Sequence, residues 1–283
     1  MRQEKSRREY CGGMAPSRTP GHLVLPSPVP SAPIATVVWL HGFGDDQPES
    51  WASEFKALRD SQPTVQWIHL RAPSLPITCY GGHLFPSWGD FLDDGCVEVG
   101  STDYQNEKIA SNATRSEVQG MLETIFSSSV PRVIIGGFSM GAAVAAEAAL
   151  HHLSRSGPSP KRRNLHLVML NGWLPPGARR DVANGAAANL RALVSSGTRD
   201  EQVGYKCGQE AARLLREGGA EVSWRSDNAA SHAESGFGPG RDAAIEFIGA
   251  LLGQASNSTS GSAGSGVNKS LSRNGKRRRP NEG

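Results

Sequence analysis

Residues 133–150 read VIIGGFSMGAAVAAEAAL. The β-branched Val133, Ile134 and Ile135 open the stretch as a buried strand, and the alanine-rich run after Met140 reads as a helix, so Ser139 stands at the joint. Gly137 to Gly141 spells G-x-S-x-G, the sharp strand-to-helix turn that lifts a serine hydroxyl out of the surrounding packing. Glycine at the flanking positions admits a neighbouring strand and helix where a side chain would collide. In a chain with 33 glycines the five-residue pattern alone is weak. Its setting, an apolar run before and a helix former after, is what the turn requires. The competing reading is a Gly-rich turn closing on an ordinary helix N-terminus.

Outward from this stretch, apolar and amphipathic runs alternate. ATVVWL (35–40), VQWIHL (65–70), RVIIGGF (132–138), LHLVML (165–170), LRALVSS (190–196) and AEVSWR (220–225) are strand candidates. Helix candidates lie near 49–60, 104–127, 140–153, 204–217 and 239–252. Strands alternating with helices of this length predict a mostly parallel sheet covered by helices on both faces, with no internal repeat. In such α/β folds the chemistry sits at the carboxyl ends of the strands.

The ends differ from this body. Residues 1–30 are rich in Arg, Pro, Ser and Gly, and 254–283 hold too few apolar residues to offset the entropy of ordering, so both are expected to be disordered arms around a folded domain at 31–253. The formal charge of +3 hides an asymmetry: the first arm carries +3 and residues 255–283 carry +5, which leaves the body at −5. The body is therefore not expected to bind nucleic acid. The run Lys276 to Arg279 is either a solvated tail or a patch for nuclear import or an anionic surface. No stretch approaches the length of a membrane span and the start lacks an apolar signal core, which predicts a cytoplasmic chain. The scattered Cys11, Cys79, Cys96 and Cys207 fit reduced thiols, not a disulfide frame or zinc site. Cys11, beside Arg7 and Arg8, is a candidate acyl acceptor.

A serine hydroxyl needs a base to take its proton and a carboxylate to fix that base. Of eight histidines only His232 lies beyond the last strand candidate, in the polar loop SDNAASHAESG. The others read as structural: His69 and His166 alternate within strands, His151 and His152 cap a helix, and His41 is a hydrogen bonder in a loop. For the acid, Asp200 follows directly on the strand ALVSS; Asp227 is the rival, nearer to His232 in sequence. An oxyanion site needs the N–H of Met140, after the serine, and a second from the glycine-rich loop LHGFGD (40–45), most plausibly that of Phe43. The segment from Leu75 to Cys96 sets Leu75, Ile77 and Trp88 among glycines and prolines. It forms either an apolar groove for an acyl chain or a loop anchored on the core.

LHGFGD, APSLPITCYGGHLFPSWGDF (72–91), GGFSMGAA (136–143), LNGWLP (170–175), GTRDEQV (197–203) and the loop carrying His232 together resemble the acyl-protein thioesterase, lysophospholipase and carboxylesterase family of α/β-hydrolases. The similarity spans about residues 34–253. It implies a compact sheet without a large lid, and hydrolysis of acyl thioesters or esters without metal or cofactor. It places Ser139, Asp200 and His232 at the triad positions, Phe43 and Met140 at the oxyanion amides, and Trp88 beside the site. The implied substrates are S-acylated proteins or lipid esters, with peripheral membrane contact and oligomeric state left open. A lysophospholipase or small-ester carboxylesterase is the alternative, and a non-catalytic hydrolase-like binding protein the more distant one. Two positions depart from the family. Ser196-Gly197 stands where His-Gly is usual, which is expected to loosen the acid loop. Met140 stands where Gln is usual, which is expected to make the wall by the nucleophile more apolar.

Overall fold

All six apolar runs become strands of one sheet, and their side chains explain why. Successive residues of a strand point to opposite faces. Val38, Leu40, Val133 and Ile135 enter one core with Leu167 and Val194, whereas Val37, Trp39, Ile134, Val168 and Leu193 enter a second core on the other face. A sheet buried on both faces demands near-continuous apolar strands, which is how these runs read.

The computed structural model describes residues 21–29, 32–128, 130–156 and 164–259. Its elements are β1 (Leu23–Leu25), β2 (Ala35–Leu40), α1 (Pro48–Glu54), α2 (Lys56–Ser61), β3 (Val65–Leu70), β4 (Ser74–Ile77), β5 (His83–Pro86), α3 (Asn112–Ser127), β6 (Val133–Phe138), α4 (Met140–Arg155), β7 (Leu165–Leu170), α5 (Pro176–Ala183), β8 (Arg191–Gly197), α6 (Tyr205–Glu217), β9 (Glu221–Asp227), α7 (His232–Phe237) and α8 (Pro239–Thr259). The main sheet has seven strands in the order β1-β3-β2-β6-β7-β8-β9. All its pairings are parallel except that of the edge strand β1 with β3. The first core is covered by α3, α4, α5 and α6, and the second by α1, α2 and α8. This is an α/β-hydrolase-type sheet, with no large lid among the described residues. No helix among the described residues is long and apolar enough to cross a membrane.

Several boundaries differ from the sequence reading. Within the arm expected over 1–30, Leu23 to Leu25 pair with His69 to Trp67, and the His22 ring accepts from the Arg71 N–H at 3.2 Å while meeting Glu117 at 3.0 Å. Within the tail expected from 254, α8 continues to Thr259. The helix expected over 104–127 starts at Asn112, where Ser111 caps it by accepting from the Thr114 N–H at 3.1 Å. Asp103 is drawn instead into the preceding loop, its carboxylate accepting from the Leu92 and Asp93 N–H groups at 2.9 Å each. The helix expected at 49–60 breaks at Phe55, which turns fully inward. Within the irregular segment 75–96, β4 and β5 form an antiparallel hairpin. Cys11 and Lys276 to Arg279 lie outside the described residues.

His69 of β3 stacks on Trp67 with ring centroids 6.0 Å apart, and neither of its buried ring nitrogens has a partner. Burial, with a smaller contribution from Arg59, lowers its pKa to about 4, and burial likewise lowers that of His166 to about 3. Because the folded value lies below the unfolded one, the unfolded chain takes the proton first as pH falls. The stability held above the unfolded pKa is then lost progressively down to the folded one, a difference of about 3 kcal/mol for His69. The substitution His69→Phe should therefore flatten the acid side of a melting-temperature profile between pH 7.5 and 4. Parallel profiles for variant and wild type would refute this assignment.

Candidate active site

The turn after β6 is tight. Ser139 has φ 56° and ψ −125°, a conformation few residues with a side chain adopt. Hydrogen bonds on both sides hold it: its N–H donates to Leu170 O at 2.8 Å, and its carbonyl accepts from the Ala142 and Ala143 N–H groups at 3.0 and 3.2 Å. A Cβ on Gly137 would lie 2.6 Å from Leu40 O, and one on Gly141 would lie 2.3 Å from His41 O. Only glycine at both places lets α4 start directly under the end of β2. The Met140 N–H, first in α4, has no place in the helical hydrogen-bond ladder.

The loop after β2 meets this turn at Gly42, whose hypothetical Cβ would be 3.6 Å from Ser139 Cβ. His41 sets the loop's conformation. Its Nε2 accepts from the Ala72 N–H at 3.0 Å, so its proton sits on Nδ1, which donates to Gly42 O at 2.7 Å. In a trans peptide the carbonyl and the following N–H point opposite ways. Fixing Gly42 O on the His41 side therefore turns the Phe43 N–H away from it. Burial is the main reason the His41 pKa is lowered, and this keeps the ring neutral, as both bonds require. Trp88 closes the clasp from outside, its indole N–H donating to His41 O at 2.8 Å.

The acid loop follows β8. Asp200 Oδ1 accepts from the Gln202 and Val203 N–H groups at 2.9 and 2.8 Å. Its Oδ2 faces His232 Nδ1 at 2.7 Å and accepts from Asn171 Nδ2 at 2.6 Å. The side chain has no exposed surface. Burial would raise its pKa, but the bonds from His232, Val203 and Asn171 outweigh burial and hold it below the ordinary aspartate value. An ionised Asp200 can only accept, so the proton between the two groups sits on His232 Nδ1. His232 is the first residue of α7, a short helix within a segment the sequence reads as loop. A reciprocal capping pair sets the start of α7: Ser231 and Glu234 each bond the other's backbone. Its ring packs on that of Phe138, the residue before Ser139, with centroids 4.6 Å apart.

The fold thus joins Asp200 to His232 and packs the His232 ring against Phe138, the residue before Ser139, at the carboxyl edge of the sheet. Asp227, the rival acid, is bonded elsewhere, accepting from Ser195 Oγ at 3.1 Å and sharing the single Ser235 hydroxyl proton with Asn171 Oδ1. Of the expected groove residues, Ile77 and Trp88 are fully buried anchors and Leu75 is half-buried. The exposed apolar side chains of this region are Tyr80, Leu84 and Leu92. The Met140 side chain is also fully buried, with its sulfur 3.4 Å from Ser87 Oγ, so it builds no apolar wall. Ser196 seats closely over Gly208, where a Cβ would be 2.0 Å from its Oγ. Asn171 and Ser235 escaped the sequence reading, although Asn171 follows β7 just as the other site residues follow their strands.

The sequence model of the Phospholipase/Carboxylesterase family matches residues 28–239. Acyl-protein thioesterase 1 of Cryptococcus neoformans is 30% identical over 194 residues, covering 64% of this chain and 72% of that protein. Acyl-protein thioesterase 1 of Gibberella zeae is 28% identical over 215 residues, covering 73% and 86%. Among solved structures, acyl-protein thioesterase 2 of Zea mays superposes with a TM-score of 0.60 at 28% identity, covering 82% of this chain and 98% of that one.

The elbow's dependence on bare backbone is open to test with two glycines. Gly141→Ala must push β2 and α4 apart, and should lower the melting temperature by an amount equivalent to several kcal/mol. Gly120→Ala, in the middle of α3 with nothing within 4 Å of the new Cβ, should stabilise by about 0.5–1 kcal/mol. Equal melting temperatures for the two variants would contradict the geometry described.

Proposed function

Because this chain belongs to the phospholipase/carboxylesterase family of α/β-hydrolases, and so is a serine esterase in the general sense, we propose that it acts as an acyl-protein thioesterase through a triad of Ser139, His232 and Asp200. The observation that carries this reading is the buried contact of His232 Nδ1 with Asp200 Oδ2 at 2.7 Å, next to the strained turn that presents Ser139.

On this reading His232 Nε2 takes the Ser139 hydroxyl proton as Oγ attacks the acyl carbonyl. The proton then passes to the departing thiol or alcohol, and water releases the acyl group from Ser139 by the same route reversed. Asp200 holds the ring in its tautomer and stabilises the imidazolium formed in each step. The Phe43 and Met140 N–H groups receive the oxyanion, where loss of one donor typically lowers the rate by about 10²–10³. Apolar residues beside Phe43 favour an acyl chain as the recognised group. The Phe43 ring packs among Tyr80, Phe85 and Phe91 at 5.9, 5.4 and 5.2 Å, and the exposed Leu84 extends the same hairpin. The names of the relatives point to S-acylated proteins as its source. Cleavage of lysophospholipids or small esters by the same groups is the second reading, since a triad does not discriminate between leaving groups.

Ser139→Ala should abolish labelling by a fluorophosphonate probe, and retained labelling removes Ser139 from the nucleophile role. One preparation compared on a palmitoylated peptide thioester, a lysophospholipid and a short-chain ester should show the highest kcat/KM on the thioester. Among p-nitrophenyl esters the rate should rise gradually with chain length, since each buried CH₂ contributes at most about 0.8 kcal/mol. A marked preference for acetate would replace the thioesterase reading with the small-ester one.

A further inference from the structure

Asn171 is fully buried and sits just past β7, with φ 50°. Asparagine is among the few residues with a side chain that enter this left-handed region readily. Its backbone N–H donates to Ser195 O at 2.8 Å, which ties it to β8. The preceding residue, Leu170, takes the Ser139 N–H, so Asn171 is one residue away from the support of the elbow. Both ends of its side chain are used. Nδ2 donates to Asp200 Oδ2 at 2.6 Å, the same oxygen that faces His232 Nδ1, and Oδ1 accepts from Ser235 Oγ at 2.8 Å. Ser235 lies one helical turn after His232 on α7. The orientation of the amide is determined, because the reversed one would set its oxygen against an ionised carboxylate.

We infer that Asn171, clamped by Ser235, is a positioning residue that fixes the Asp200 carboxylate and the His232-bearing helix relative to the Ser139 turn. One planar amide spans three elements: the acid loop through Asp200, α7 through Ser235, and the end of β7, whose Leu170 O holds the elbow. Ser235 Oγ also touches Asp227 Oδ2, itself held by Ser195 Oγ, so the outer end of the clamp is anchored on β8 and β9. The groups that titrate or carry charge around this set are His232 and Asp200, Asp227 behind Ser235, Glu201, which accepts from the His232 N–H at 3.3 Å, and the Cys96 and Cys207 thiols.

The inference rests on the triad reading, and the test separates the two. In Asn171→Ala, kcat on an ester substrate should fall about 10- to 100-fold with KM nearly unchanged, the size expected for losing a hydrogen bond to a charged group. Ser235→Ala, which leaves the amide in place but unclamped, should give a smaller loss of about 3- to 10-fold on the same scale. Asn171→Asp keeps the shape but sets a second carboxyl beside Asp200. It should move the acid limb of the kcat/KM profile to higher pH by about one unit, since added negative charge favours the protonated pair. A merely structural role would lower the melting temperature and the amount of active protein, counted by fluorophosphonate labelling, without moving that limb. Wild-type kcat per labelled site together with an unmoved acid limb in the Asn171 variants would overturn the inference while leaving the triad standing. A wild-type chain that takes no label, or a Ser139→Ala variant that still does, would overturn the triad reading itself.

Discussion

The close approach of Gly141 to the carbonyls of Leu40 and His41 is the constraint on which the site depends. A side chain at 141 would begin 2.4 Å from one oxygen and 2.3 Å from the other. The end of β2 and the start of α4 therefore share a space that only bare backbone can occupy. On the other side the elbow is tied to β7 through the Ser139 N–H. The turn is thus clasped between its two neighbouring strands, and its positive φ persists because both clasps over-determine it. These two contacts bring the loop after β2 and the residue after β7 up to Ser139.

A carboxylate without exposed surface raises a second physical question, because removing an ion from water costs several kcal/mol even after relaxation. At Asp200 the answer is four donors of fixed geometry: two backbone N–H groups of its own turn, one amide and one imidazole. Each is placed by an element of the fold, and so each is in position before any reaction begins, the condition under which dipoles are most effective. Asp227 shows the contrast. It is equally close to the sheet edge, yet its partners are hydroxyls, and it serves to anchor α7.

How much of this could be read from the sequence follows from what each element depends on. Strands covered on both faces must be apolar throughout, so β2, β3, β6, β7, β8 and β9 were legible to within a residue or two. The order of elements then put Ser139, Asp200 and His232 just past strand ends. The edge strand β1 was missed because three residues between prolines carry no period, and α7 because its six residues begin with a serine cap inside a run of small polar residues. The burial of Trp88 and Ile77 was hidden for another reason. Apolar residues among glycines and prolines look alike whether they line a groove or anchor a hairpin, and only the fold shows that Trp88 spends its indole N–H on His41. Asn171 escaped because an amide announces no chemistry until its two partners are known.

Phe43 joins the two halves of the proposed reaction, recognition and charge stabilisation, in one residue. Its N–H direction is set by the peptide that His41 pins, while its ring belongs to the aromatic group on the β4–β5 hairpin. The hairpin is bound to the same loop at a second point, since the Gly44 N–H donates to Pro86 O at 2.9 Å. An acyl chain lying along Tyr80 and Leu84 would thus press on the residue whose amide receives the oxyanion. Binding energy gathered far from the carbonyl would be felt where charge develops, and such coupling raises kcat, not merely affinity. A short acyl group leaves that surface untouched and gains only the triad. On this argument the proposed preference for long chains and the proposed oxyanion role of the Phe43 amide would have one structural cause, the clasp of His41, Trp88 and Pro86 around the loop after β2.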